Sequence, residues 1–156
     1  MCVITETRQR KMKLLRDAHH AQCVVCGDGN KKGIKLSFEV APNGSVEGRV
    51  PCRRLFQGYD GLLHGGVISA VLDSAMTNCL FAHDIVAVTA ELTVRYLHPV
   101  LLTCEAVVRA NIKESMPPLH LMEAQLVQNG RVVARASAKF VNGKPVVCNF
   151  RGKGGL

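Results

Sequence analysis

One long apolar stretch that begins at two glycines constrains the fold of this chain more than any other feature. Residues 67–81 are apolar on nearly every side of a helix, and a helix of that kind is buried rather than lying on a surface. The segment His64-Gly65-Gly66 precedes it, which predicts a tight loop that opens directly into the helix. We therefore expect a buried helix with the rest of the chain packed around it.

The predicted helix carries a single carboxylate, Asp73. Burying a charge costs free energy unless the charge is paired or meets water, so Asp73 is the first candidate for chemistry. Ser69 and Thr77 lie four residues to either side and share its face of the helix. The alternative interpretation is that Asp73 only faces a crevice or accepts hydrogen bonds from these two hydroxyls.

The glycine loop offers a second chemical feature. The first N–H groups of a helix lack partners within it and carry partial positive charge, and Gly65 and Gly66 would let a ligand oxygen approach them closely. Asp73 lies roughly 12 Å from Gly65 along the axis, at ~1.5 Å per residue, whereas a base must come within about 3 Å of its target. An enzyme that uses both features would combine Asp73 of one chain with the glycine amides of another, and would be an obligate oligomer.

Outside the helix, apolar and polar residues alternate with a period of two, which is typical of half-buried strands. Two such strands precede the helix within residues 35–50, and four follow it, which we expect to form a meander. Asn129-Gly130 predicts a tight hairpin between the last two. One apolar helix and one-sided strands bury each other if the sheet wraps around the helix. The predicted fold is therefore α+β, with an antiparallel sheet around one long central helix.

Three regions are predicted along the 156 residues. Residues 1–34 hold an N-terminal helix and a Cys-x-x-Cys segment, residues 35–142 form the main domain, and residues 143–156 form a C-terminal tail. We find no signal-peptide pattern and no apolar run of the roughly 18 residues that cross a membrane. The seven cysteines are scattered, which favours reduced thiols. These features predict a cytoplasmic protein without membrane contact.

The Cys-x-x-Cys segment allows more than one interpretation. His19, His20, Cys23 and Cys26 could together hold zinc, since four nitrogen or sulfur ligands suffice. Such crowding of four ligands into eight residues is unusual, and a redox pair is a further alternative. We favour a small buried turn, so that no metal and no cofactor is predicted.

The net charge of +8 is uneven, since +5 of it lies in residues 1–35. A basic segment suits an anionic partner such as nucleic acid, membrane headgroups or a phosphorylated small molecule. The alternative is solvated charge that serves solubility. The charge alone does not decide between them.

The element order, with His64-Gly65-Gly66 at the helix entrance and Asp73 nine residues after the histidine, resembles the hotdog-fold thioesterases. The likeness is strongest to the PaaI-like branch of the 4-hydroxybenzoyl-CoA thioesterase superfamily. The later strand that runs from Thr89 to His98-Pro99 is similar to the same pattern, as are residues 23–27 and 56–59. The resemblance implies a hotdog fold and hydrolysis of an acyl-CoA to a free acid and CoA, in a homodimer or a dimer of dimers.

The resemblance also implies roles for individual residues. Asp73 would be the nucleophile or the base that activates water. The Gly65 amide of the partner chain would polarise the thioester carbonyl, with help from His64. Thr89 stands where family members often place a hydroxyl that orients the carboxylate or the water.

One position departs from the family pattern. Relatives of this branch commonly carry an Asn six residues before the histidine, where this chain has Gly58. The neighbouring Gln57 could supply an equivalent amide. Gly58, Gly66 and Met76 are candidate substrate contacts, Met76 because it could close an acyl tunnel.

Two other functions are compatible with the sequence. A non-catalytic hotdog module could sense acyl-CoA while its basic segment from Arg8 to Arg16 contacts nucleic acid. A dehydratase, which generally relies on a histidine paired with a carboxylate, could use His64 and Asp73. Acyl-CoA hydrolysis is the favoured hypothesis, and nucleic acid is not an expected partner.

Overall fold

A computed structural model describes residues 3–143, so the predicted tail falls outside these residues except for Gly143. The elements in chain order are α1 (Val3–His19), β1 (Glu39–Val40), β2 (Val46–Val50), a 3₁₀ turn (Arg54–Phe56), α2 (Gly65–Ala82), β3 (Ala87–Tyr96), β4 (Ala106–Met116), β5 (Leu119–Gln128) and β6 (Arg131–Asn142). The predicted central helix corresponds to α2. The predicted N-terminal helix corresponds to α1.

The strands form one six-stranded sheet with the order β1-β2-β4-β5-β6-β3, and every neighbouring pair is antiparallel. The hairpin between β5 and β6 turns at Asn129 and Gly130, whose φ angles are 51° and 74°. Both values lie in the left-handed region that Asn and Gly tolerate best. The α+β class and the hotdog arrangement, a sheet around a central helix, are confirmed.

The predicted four-strand meander is wrong, because β3 does not pair with β4. It pairs with β6, from Ala87 opposite Asn142 to Tyr96 opposite Ala134. Only β4, β5 and β6 form a meander. A period-two pattern shows which face of a strand is buried but carries no information about which strand lies beside it.

A crossover segment over residues 97–105 carries the chain from β3 to the far side of β6 and β5. Its backbone is held by Gln128, a buried polar residue with 5% of its surface exposed. The Gln128 side chain accepts from the Leu101 N–H (2.9 Å) and donates to the Leu101 and Cys104 carbonyls (2.8 and 3.0 Å). Leu102 and Cys104 lie in this crossover, and β4 begins only at Ala106.

The core lies between α2 and the inner face of the sheet. Besides larger residues such as Met122, Leu126 and Phe140, the sheet contributes a group of alanines, namely Ala106, Ala110, Ala124, Ala134, Ala136 and Ala138. The helix contributes large ones, namely Val71, Leu72, Met76, Leu80 and Phe81. Small residues on one side let the helix approach closely, so that the large ones fill the space at the density of protein interiors. Full burial of each Leu, Met or Phe stabilises the fold by ~1.5–3 kcal/mol.

The N-terminal segment packs into the same core. Met12 of α1 is 1% exposed, and α1 lies along α2. The Ile34 and Leu36 N–H groups bond to the carbonyls of Val24 and Val25 (2.7 and 2.9 Å). The predicted alternation from Leu36 to Val40 is present, but only the last two residues pair with β2, because the preceding ones are bonded to the Cys-x-x-Cys segment.

By length and composition α2 could cross a membrane, yet 67% of it is buried inside the fold. A core helix of this kind meets the same criterion, since it too must be apolar on nearly every side.

Candidate active site

The N-terminal end of α2 presents one backbone donor. His64 is the N-cap, and its Nδ1 accepts from the Gly66 N–H at 2.9 Å, which places the ring proton on the exposed Nε2. The N–H groups of Val67 and Ile68 bond to the His64 carbonyl. Among residues 3–143, the Gly65 N–H has no hydrogen-bond partner. The prediction that both glycine N–H groups are free is therefore wrong for Gly66, whose N–H is bonded to His64. The Gly65 N–H remains as the free donor.

Tyr96, at the end of β3, covers this helix entrance. Its hydroxyl lies within hydrogen-bond distance of the Gly65 carbonyl (3.0 Å) and of Ser69 Oγ (2.6 Å). The sequence analysis did not select Tyr96. The available signal was a tyrosine at the end of a strand in which apolar and polar residues alternate. The hydroxyl of a partly buried tyrosine usually has a polar partner.

A cleft of about 710 Å³ opens beside the Gly65 amide. Most of its surface is apolar, as expected of a small-molecule site. Its lining comprises Gly58, Tyr59, Leu62, Leu63, His64, Gly65, Ile68, Tyr96, Leu97, His98, Pro99 and Val100. The loop before α2, the end of β3 and the start of the crossover thus form one apolar chamber with a backbone donor in its wall.

Asp73 lies half-buried in the middle of α2. The Thr89 hydroxyl, from the start of β3, donates to its carboxylate at 2.7 Å. Burial raises the pKa of Asp73 above its usual value of 3.8, and the Thr89 hydrogen bond opposes that rise. A raised pKa makes the carboxylate a stronger base than one in water.

The Ser69 and Thr77 hydroxyls do not bond to the Asp73 carboxylate. The alternative interpretation in which Asp73 accepts hydrogen bonds from these two hydroxyls is therefore wrong. Each hydroxyl donates instead to the carbonyl four residues earlier, Ser69 to Gly65 (3.2 Å) and Thr77 to Asp73 (3.1 Å). Such back-bonding is common for hydroxyl residues inside helices. The Asp73 carboxylate therefore has oxygen lone pairs that are available to accept a hydrogen bond from another group.

The remaining candidate residues, Gln57, Gly58 and Met76, lie in three different environments. Gln57 braces its own loop, since its Oε1 accepts from the Gly61 N–H at 3.0 Å. Gly58 lines the cleft, and a Cβ there would lie 3.2 Å from the His64 Cα, so a side chain at this position would press on the histidine. Met76 is 0% exposed, and it packs in the core rather than lining the cleft.

The two chemical features remain apart within one chain. Gly65 and His64 line the cleft, whereas Asp73 and Thr89 do not. The helix separates them by eight residues, as the sequence analysis expected.

The Cys-x-x-Cys segment brings three possible metal ligands together. One atom each from His20, Cys23 and Cys26 lies within 4.8 Å of the others, and His19 is not part of this group. Hydrogen bonds from Cys26 and His20 hold the pKa of the Cys23 thiol well below its usual range. The five cysteines in the described part of the chain are all free thiols.

Comparisons with known proteins bear on the same residues. Residues 60–115 match the family model "Thioesterase superfamily", a segment that contains His64, Gly65, Asp73 and Thr89. A search of curated proteins found no match.

Solved structures of several thioesterases share the fold. A thioesterase superfamily protein is 24% identical with a TM-score of 0.73, over 78% of this chain and 60% of that one, so this chain spans less than two thirds of its length. The E. coli PaaI protein is 12% identical with a TM-score of 0.74, over 90% and 96%. A hypothetical thioesterase from Streptococcus pneumoniae, solved with coenzyme A, is 18% identical with a TM-score of 0.64, over 69% and 87%. The resemblance to PaaI-like hotdog thioesterases is confirmed.

Proposed function

We propose that this chain, which has the fold of the hotdog thioesterases, is an acyl-CoA thioesterase whose active site forms between two copies. Asp73 of one copy acts on a thioester whose carbonyl is bound by the Gly65 N–H of the partner. The match of residues 60–115 to the thioesterase superfamily supports thioester hydrolysis. The similar thioesterase solved with coenzyme A supports CoA as the leaving group.

The position of both features along β3 carries the proposal. Thr89, which bonds Asp73, lies near the start of β3, and Tyr96, which bonds Gly65, lies at its end. Over residues 3–143, β3 pairs with β6 alone, so its second edge is unpaired. Antiparallel pairing of two β3 edges about a two-fold axis brings the start of one strand opposite the end of the other. That symmetry places Asp73 of one copy toward the partner's Gly65.

The chemistry follows from these groups. The Asp73 carboxylate either removes a proton from water while the water oxygen bonds to the thioester carbon, or bonds to that carbon itself. Negative charge then develops on the carbonyl oxygen, where the partner's Gly65 N–H stabilises it, and the exposed His64 Nε2–H is a second donor. The C–S bond breaks, and CoA leaves as the thiol after taking up a proton. If Asp73 itself has bonded to the carbon, the acyl group remains on it as an anhydride, which water then hydrolyses to release the acid and restore the carboxylate. One preorganised donor of this kind contributes ~10²–10³ in rate.

Unpaired positive charge near β3 fits a phosphate-bearing substrate. Arg95 and Arg135 are directly opposite each other on neighbouring strands, an arrangement that is unfavourable for like charges. Within the described part of the chain, neither has a carboxylate within salt-bridge distance. Because CoA carries several phosphate charges, this pair is a candidate contact for it.

No specific observation favours the two alternatives. In the basic segment of α1, Lys11 pairs with Asp84, Lys13 with Asp17 and Arg16 with Asp28. Much of its charge is therefore already balanced within the chain. For a dehydratase, the His64 Nδ1 is bonded to a backbone amide rather than to a carboxylate.

Mixed dimers test the composite site. Asp73→Asn removes the base, and Gly65→Pro removes only the free N–H, because proline is favoured at the first helical position and His64 already has the extended backbone that precedes proline. Each variant alone should lose ~10²-fold or more of acyl-CoA hydrolysis, measured by thiol release. Purified as mixed dimers with two different tags, they should regain about half of the wild-type activity, since one of two sites is intact.

Gly65→Ala is the matched control, because it keeps the N–H and its Cβ would lie 3.6 Å from the Tyr96 ring, an ordinary contact. It should retain activity. A mixed dimer as inactive as its parents would exclude a site shared in this way, and full activity of Gly65→Pro would remove the amide from the mechanism.

A further inference from the structure

We propose that His20, Cys23 and Cys26 form a binding site for zinc, or for a similar divalent cation that prefers sulfur and nitrogen ligands. The site lies between the end of α1 and the face of α2 that carries Ser74 and Asn78. It is separate from the proposed hydrolytic chemistry and does not depend on it.

The ligand spacing is close to that of a zinc site. Zinc bonds of about 2.3 Å to sulfur and 2.0–2.1 Å to nitrogen place two ligands of a tetrahedron roughly 3.6–3.8 Å apart. The Cys26 Sγ and His20 Nδ1 are 3.9 Å apart, and all three ligand atoms lie within 4.8 Å of one another. Shifts below about 1 Å would therefore complete the geometry, which side-chain rotations can supply.

The backbone of the Cys-x-x-Cys turn is shaped to present both sulfurs. The Gly27 N–H bonds to the Cys23 carbonyl at 3.0 Å, and the Val25 N–H points at the Cys23 sulfur from 3.4 Å. A Cβ on Gly27 would lie 2.4 Å from the Cys23 nitrogen, so only glycine permits this turn. The turn thus holds an N–H donor against one sulfur, as the outer shells of metal sites do.

A second set of groups surrounds Cys26. The Asn78 Nδ2 donates to its sulfur at 3.5 Å, and Ser74 lies one turn earlier on the same face of α2. Ser74 and Asn78 are 5% and 0% exposed, and their Oγ and Oδ1 atoms have no hydrogen-bond partner within residues 3–143. Buried polar atoms without partners are rare and costly. A metal-bound thiolate at Cys26 would be a strong acceptor for the Ser74 hydroxyl, which explains why this polar residue is tolerated on a buried helix.

The charge and ligand count also suit zinc. Two thiolates balance the charge of a divalent cation, and the neutral His20 ring supplies a nitrogen ligand. The ring packs edge-on against Phe81, with 5.2 Å between the centroids, which restricts its orientation. Three protein ligands leave the fourth tetrahedral position to a water molecule. Metal binding would tie α1 and the turn to α2 and so stabilise the fold.

The test uses the full reduced chain and cobalt as a spectroscopic substitute for zinc. Titration of the metal-free protein with Co²⁺ should give sulfur-to-cobalt charge-transfer absorption that saturates at one ion per chain. Zinc should abolish this absorption and raise the midpoint of thermal unfolding. Cys23→Ser and His20→Ala should each reduce the charge-transfer signal and lose stoichiometric binding.

Matched controls are available in the same chain. Cys104→Ser alters another half-buried thiol, and His19→Ala alters the neighbouring histidine, so both should bind cobalt as the wild type does. Should the ligand variants not fold, zinc should still protect Cys23 of the wild-type chain from alkylation while Cys104 and Cys52 react. Three results would overturn the proposal: no uptake by the reduced wild-type chain, uptake that persists in Cys23→Ser, or a Cys23–Cys26 disulfide that forms whether zinc is present or not.

Discussion

The two edges of the sheet end in different ways. At one edge, β1 has two residues, and Gln9 of α1 covers the backbone beside it, donating to the Phe38 carbonyl (3.1 Å) and accepting from the Val40 N–H (2.7 Å). At the other edge, β3 has ten residues and, among the residues that the structure describes, pairs with β6 on one side only. Val88 and Tyr96 of this strand are 42% and 52% exposed.

This difference matches the proposed dimer, in which the chain covers one edge itself and a second copy would add to the other. A long, unpaired strand edge is an aggregation hazard in a monomer, and proteins normally shorten or cover such an edge. The chain does this at β1. It does not do so at β3, where Thr89 and Tyr96 contact the two halves of the candidate site.

The largest expected effect concerns the carboxylate beside the open edge. Asp73→Asn should lower kcat by ~10²–10⁴, the usual contribution of a positioned base, in an assay of thiol release from acyl-CoA. Asp84→Asn, which changes an exposed carboxylate paired with Lys11, should leave kcat unchanged. Unaltered kcat in the Asp73 variant would refute the assignment.

The same variant should be more stable than the wild type at neutral pH. Because the folded-state pKa of Asp73 is raised, ionisation disfavours the folded state. The two proteins should be equally stable below pH 3.8, the usual pKa of the group. The free energy of unfolding of the wild type should then drop below that of the variant as the pH rises through the folded-state pKa of Asp73. Thermal unfolding at several pH values measures this gap.

The next largest effect tests the open edge itself. Val88→Lys places a charge in the proposed edge-to-edge contact, near the end of the partner's β3, so the dissociation constant should rise by about tenfold or more, equal to ~1.4 kcal/mol. Light scattering against protein concentration would show this weakening, and activity should fall with it at low concentration. Ile4→Lys, an exposed apolar residue of α1 on the closed side, should change neither. A wild-type chain that remains monomeric would contradict the dimer outright.

A smaller effect is expected from the outer face of the same edge. Replacing both Arg95 and Arg135 with Gln should raise KM for acyl-CoA roughly threefold to tenfold without changing kcat, as expected for exposed ionic contacts. The increase should shrink at high salt. Arg131→Gln, at the far end of β6, is the comparison. An unchanged KM in the double variant would exclude this pair from substrate binding.

A comparable effect, confined to acid pH, is expected from Thr89→Val. The Thr89 hydrogen bond opposes the rise in the pKa of Asp73, so its loss should move the pKa higher. Since the ionised carboxylate is the active form, the acid limb of the kcat/KM profile should move to higher pH. Thr93→Val, on the outer face of β3 opposite Ser137, should leave the profile in place; equal shifts in both variants would count against the role of Thr89.

The smallest effect on catalysis should come from the closed edge. Gln9→Ala leaves the Phe38 carbonyl and the Val40 N–H without a partner, which should cost about 1–3 kcal/mol of folding free energy. Activity per folded dimer should not change. Chemical denaturation of this variant beside Arg10→Ala measures the cost, and an oligomeric state altered in Gln9→Ala would show that this edge is not closed within the chain.

Local chemistry made part of this molecule predictable. Apolar residues on every side of 67–81 require a buried helix, and Asn129-Gly130 favours left-handed backbone, so α2 and the β5–β6 hairpin could be derived. Asp73 could be selected because an ionised group on such a helix is costly. Thr89 entered only through the family resemblance, and the structure places its hydroxyl 2.7 Å from the Asp73 carboxylate.

Other features depend on contacts between distant segments, which no local pattern encodes. The pairing of β3 with β6 rests on a crossover held by Gln128, and the single free amide at Gly65 exists because the His64 ring turns back onto Gly66. The approach of Cys26 to Asn78 joins residues that are 52 positions apart.

The sequence by itself determined which segments are buried and which group is costly to bury, because periodicity and charge act along neighbouring residues. Only the tertiary structure decided which strand ends the sheet, and hence which edge the proposed dimer would use. That choice depends on how distant segments pack around one helix. Packing of this kind is a property of the whole chain rather than of any stretch within it.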